Sequence, residues 1–153
     1  MNWKEVKEGT PTGVWYWVLQ DELKTAIEYT EPLRVELISQ DALQQGDLDQ
    51  FDLHFIEQII HDIDNYLLEA IAFIKNKLED DPSSFGITED EIGKYQDLPL
   101  SDFPVEFPNI TFSTNKIWLI RFADADFPGI TYGQGIGVFF DEYKITKIKI
   151  FPA

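Results

Sequence analysis

Three residues on one helical face have the types that metal chemistry uses: His54, Glu57 and His61. At 100° per residue, steps of three and four place them within about 60° of one another. Imidazole and carboxylate groups at such steps can share a metal ion, which would act as a Lewis acid or activate a water. His54 and His61, however, stand two turns or about 10 Å apart, wide for direct sharing. No HExxH or ExxH pattern accompanies them. The expectation is therefore a solvated polar helix face with no metal or other cofactor. A metal- or carboxylate-dependent hydrolase stands as an alternative.

Other arrangements fall short of a reactive site. Asp124-Ala125-Asp126-Phe127-Pro128-Gly129 matches the first, third and sixth positions of a calcium loop. The twelfth position, which requires a bidentate glutamate, is Gly135, and strands rather than helices are expected on either side. A polar turn is the reading. Gly133-Gln134-Gly135-Ile136-Gly137 leads into Val138-Phe139-Phe140, a strand-like run, whereas a phosphate cradle opens into a helix. A bulge or a close backbone approach accounts for those glycines. No serine lies in a GxSxG elbow. The chain has no cysteine, so thiolate ligands, disulfides and a cysteine nucleophile are excluded. With 28 Asp and Glu, mere proximity of two carboxylates carries no weight. The sequence predicts a protein that is not an enzyme.

Charge is the dominant signal. Twelve Lys and Arg against 28 Asp and Glu leave a net −16. Between Asp41 and Gly93, fourteen acids face only Lys75 and Lys77, which concentrates −12 of that charge in a third of the chain. Lys144, Lys147 and Lys149 make the last strand basic. Such a surface repels nucleic acid and anionic lipid, whose affinity comes from phosphates neutralised by Lys and Arg. It attracts basic proteins and speeds their encounter. Asp52, Glu57, Asp62, Asp64 and Glu69 are expected as the partner-binding group. No apolar run approaches the ~18 residues of a membrane span, and Met1–Glu8 holds no signal-peptide core. These features predict cytoplasmic residence without membrane contact.

The elements that must position these side chains are legible in outline. Val14–Leu19 is rich in β-branched and aromatic residues after Pro11 and Gly13, and Thr25–Thr30 and Arg34–Ile38 read as further strands. From Asp49 to Leu78 there is no Gly or Pro. Ile56, Ile59, Ile60, Ile63, Leu67, Ala70, Ile71, Ile74 and Leu78 trace one helical stripe, which Phe51 and Phe55 extend backwards. Such a helix would be about 45 Å long, so a bend is expected near His61–Asn65. Thr88 and Glu91 spell a capping box that opens a short second helix. Leu98–Pro108 reads as an irregular linker packed down by Phe103 and Phe107. Strands are expected at Asn109–Ser113, Ile117–Phe122, Gly135–Phe140 and Tyr143–Phe151, with Asp141-Glu142 joining the last two. One domain over 1–153 follows, of α+β class: an antiparallel sheet of N-terminal and C-terminal strand groups packed against one long amphipathic helix and a short second one. In Trp15-Tyr16-Trp17 neighbours point to opposite faces, so some of these aromatics are candidate contacts on a sheet face.

The last third runs through Trp118-Leu119-Ile120-Arg121-Phe122, a Phe127-Pro128-Gly129 turn and Gly135-Ile136-Gly137-Val138-Phe139-Phe140. Together with the small, cysteine-free, acidic character, this resembles bacterial immunity proteins of polymorphic or contact-dependent toxin systems. The resemblance implies binding of a cognate toxin, often a basic nuclease domain, with its active site or substrate groove blocked. It carries over no functional residue. The expected function is that of an inhibitor-type binding protein whose acidic helical face engages a basic protein. The alternative is a small structural or regulatory module that binds through the sheet face around Trp15 and Trp17.

Overall fold

The computed structural model describes residues 1–7, 14–39, 47–130 and 134–151. Pro11, Gly13, Asp41 and Gly133 lie outside them. Seven strands form one sheet: β1 (Trp3–Lys7), β2 (Trp15–Leu19), β3 (Arg34–Leu37), β4 (Val105–Phe112), β5 (Ile117–Ala125), β6 (Ile136–Asp141) and β7 (Lys144–Ile150). Their order in the sheet is their order in sequence. All neighbours pair antiparallel except β3 and β4, which run parallel. Adjacent parallel strands need a crossover, and the helical segment supplies it. The α+β expectation thus holds, with one refinement: two antiparallel meanders meet at a single parallel pair. Among the described residues no helix is long and apolar enough to cross a membrane.

The crossover contains α1 (Leu53–His61), α2 (Ile63–Asp80) and the short α3 (Ile92–Gln96). Every apolar residue of the expected stripe is buried, from Phe51 and Phe55 through Ile59 and Leu67 to Leu78. They pack on the inward side chains of the sheet, including Val35, Leu37, Ile110, Phe112, Trp118, Ile120, Val138 and Phe140. Trp118 stacks between Phe112 and Phe140 at centroid distances of 5.3 and 4.1 Å. Its indole N–H donates to the Glu142 carbonyl at 2.7 Å. The expected bend is a break at Asp62, where φ is −107° and ψ 24°. Asp62 Oδ1 accepts from the Asn65 amide at 2.5 Å. A short polar side chain that bonds locally competes with the helical ladder, which is why the stripe continues while the backbone does not. In the single turn Glu89–Glu91 before α3, the Glu91 carboxylate accepts the Thr88 N–H at 3.1 Å, one half of the capping box, while the Thr88 side chain accepts from the Glu91 backbone as the other half.

Three local expectations need correction. Thr25–Thr30 is an irregular loop. The Ala26 N–H goes to Asp64 at 2.8 Å and the Thr30 N–H to Glu106 at 3.3 Å, so these donors do not enter a ladder. Its strand-like alternation arises because Leu23, Ile27 and Tyr29 pack against the core from a loop. Leu98–Pro108 is not all linker, since β4 already begins at Val105. Phe103 is buried as expected, but Phe107 is a half-buried residue within β4 at φ 54°, between the Glu106–Asp124 and Pro108–Phe122 pairs, which keep one register. Finally, Asp141 pairs with Lys144, so Glu142 and Tyr143 make the last turn.

Candidate functional site

The face of α1 turned away from the sheet carries His54, Glu57, Gln58 and His61, all exposed. With Asp62, Tyr66 and Tyr143 they line an open groove of about 470 Å³. Its two tyrosines are set by the core beneath. Tyr66 meets Trp118 and Phe140 edge-on, at 5.3 and 5.8 Å. Burial, then Asp62 and Glu69, push its phenol above the usual tyrosine value. Tyr143, 52% exposed, lies edge-on to Phe55 at 5.5 Å. Sequence reasoning missed both rings. Tyr66 follows Asp62 by four residues on a helix, which is a usable signal, whereas nothing local brings the β6–β7 turn to α1.

The five expected partner-binding acids do not form one patch. Glu57 and Asp62 share the groove. Asp52 caps α1, accepting the Phe55 N–H at 3.1 Å, and pairs with Lys116 at 3.5 Å. The Phe55 N–H, followed by Lys116, holds its carboxyl below the usual value. Glu69 is exposed on α2 within electrostatic reach of Tyr66. Asp64 turns elsewhere, to the Ala26 N–H. Nor do His54, Glu57 and His61 converge. His54 Nε2 lies 3.3 Å from the Gln58 amide, and no three His, Asp or Glu side chains come together as a ligand set among the described residues.

Asp124 lies within β5 opposite Glu106, so the calcium-loop pattern is broken by a strand. Gly129 serves another purpose: a Cβ there would stand 2.5 Å from the Gly86 nitrogen, and its own N–H donates to Phe85 at 2.8 Å. Gly137 likewise leaves room for the Phe151 ring, which a Cβ would meet at 2.4 Å. The close-approach reading of the glycine run therefore holds at this position.

The two faces of the molecule differ in charge. Residues 47–102, the helical layer, carry fifteen acids against three lysines, a net −12. On the open side of the sheet Lys147 lies over Phe139 at 4.7 Å, while Arg121 and Lys149 lie over Phe151 at 5.0 and 5.2 Å. Arg34 pairs with Glu36 and approaches the Tyr16 ring on the same side. Trp17 packs against the core on the helix-covered side, and Trp15 beside it has Lys7 over its ring at 5.1 Å. Comparison with family models, with curated proteins and with solved structures returns no match.

Proposed function

We propose that this chain is a non-enzymatic binding protein that neutralises a basic protein, in the manner of an immunity protein against a toxin or nuclease domain. The observation that carries this reading is the segregation of charge, with −12 concentrated in the helical layer and cations gathered on the opposite sheet face. Glu57 and Glu69 are exposed and form no ion pair among the described residues, so their charge is available to a partner. Carboxylates laid over the Lys and Arg that a nuclease uses for its own anionic substrate would occlude that substrate. Asp52, Asp81 and Glu91 are all held below the usual carboxylate values, towards the ionised form. This suits an electrostatic surface and is the reverse of what a general acid needs.

Retention from the source lysate tests the reading, with eluates identified by mass spectrometry at low and at high salt. A basic protein held at low salt and shed as salt rises is the expected result, because exposed charge contacts are screened. Retention that is indifferent to salt would overturn the electrostatic mechanism.

A further inference from the structure

We infer that the groove between α1 and the β6–β7 turn receives an arginine side chain of the partner, its guanidinium between Tyr66 and Tyr143 and its charge on Glu57 and Asp62. This rests on the occlusion reading and names its anchor. The groove has the parts that such a group recognises. Aromatic rings attract cations over their faces. Carboxylates take the planar guanidinium fork through two parallel hydrogen bonds. Among the described residues no lysine or arginine lines the groove. Both rings are braced from below, Tyr66 by Trp118 and Phe140 and Tyr143 by Phe55, so little ordering is left for the moment of binding.

The chain contains its own version of this recognition one turn away. The Lys116 ammonium lies 3.5 Å from the Asp52 carboxylate and 5.5 Å from the centre of the Phe55 ring. A cation there satisfies a carboxylate and an aromatic face together. Phe55 also backs Tyr143, so the next turn of α1 repeats the pairing of carboxylate and ring, as Glu57 and Tyr143, without a Lys or Arg among the described residues to complete it. Arginine fits better than lysine because two carboxylates and two rings surround an open space of about 470 Å³. A planar, weakly hydrated group uses all four, whereas an ammonium is a point charge that holds its water.

The test is an NMR titration of the full chain with N-acetylarginine amide, N-acetyllysine amide and the neutral isostere N-acetylcitrulline amide. Signals of Tyr66, Tyr143, His54 and His61 are followed. Saturable shifts confined to these residues are expected with the arginine compound and absent with citrulline. Tyr143→Leu, which keeps an apolar contact on Phe55, weakens the arginine compound about two- to fivefold. Glu57→Gln with Asp62→Asn removes saturation, and Lys149→Gln on the other face changes nothing. Equal response to citrulline, tighter binding of the lysine compound, or shifts spread over all the acids would overturn the assignment. The two readings fail separately. A basic protein retained equally by wild type and the groove variants removes the anchor and leaves occlusion standing. A groove that saturates with arginine while no basic protein is retained does the reverse.

Discussion

The carboxylate of Asp64 accepts the backbone N–H of Ala26 at 2.8 Å, fastening the loop between β2 and β3 to the first turn of α2. Its role is therefore internal, although it lies among acids whose role is outward. Asp64→Ala is expected to lower stability by about 1 kcal/mol, the worth of a hydrogen bond. The check is a urea midpoint that falls with an unchanged slope. Partner binding should fall far less than in Glu57→Ala or Asp62→Ala.

Acid should destabilise the protein through three named carboxylates. The Phe55 N–H lowers Asp52, the hydroxyls of Ser84 and Ser83 lower Asp81, and the N–H and hydroxyl of Thr88 lower Glu91, from ordinary values of 3.8, 3.8 and 4.5. A depressed folded value means that the folded state favours the ionised form. The resulting stability is present above the ordinary values and is lost as pH falls through the lowered ones. The combined variant Asp52→Asn, Asp81→Asn, Glu91→Gln should be less stable than wild type at neutral pH and converge on it as pH falls through the lowered values, below the ordinary 3.8 and 4.5. Thermal midpoints across this range decide it. A gap that stays constant with pH would show that these carboxylates are not the cause.

Tyr29 gives the alkaline counterpart. Its hydroxyl is buried without a hydrogen-bond partner among the described residues, and burial, then Glu106 and Asp64, push its ionisation well above the ordinary value of 10.0. The unfolded chain loses this proton first, so stability falls as pH rises through that ordinary value. Tyr29→Phe should reduce that fall, leaving the part that Tyr66, whose phenol is also raised, contributes. At neutral pH it should be neutral or stabilising by up to about 1 kcal/mol, since it removes an unsatisfied donor. Denaturant midpoints at neutral and alkaline pH measure both effects.

The helical stripe from Phe51 to Leu78 was readable because burial on one side imposes a period that the residues themselves display. The break at Asp62 was readable too, since an Asp-Ile-Asp-Asn run offers the backbone local partners. Thr25–Thr30 misled because a loop whose alternate side chains pack on a core looks like a strand when its hydrogen bonds are invisible. The parallel β3–β4 pair was hidden because register and direction between segments far apart in sequence are set by the whole crossover. The groove was half legible. Glu57, His61 and Asp62 stand on one helix, while Tyr143 reaches them only through the packing of the β6–β7 turn on Phe55.

The most direct measurement compares two variants of equal net charge in retention from the source lysate. One carries Glu57→Lys and Asp62→Lys on the helical layer, and the other Glu22→Lys and Glu31→Lys on the exposed loop between β2 and β3. A docking helical face predicts that wild type and the loop variant hold the same basic protein at low salt, while the helix variant loses it. Equal loss in both variants would contradict the account, because net charge alone, and not the helical face, would then govern binding.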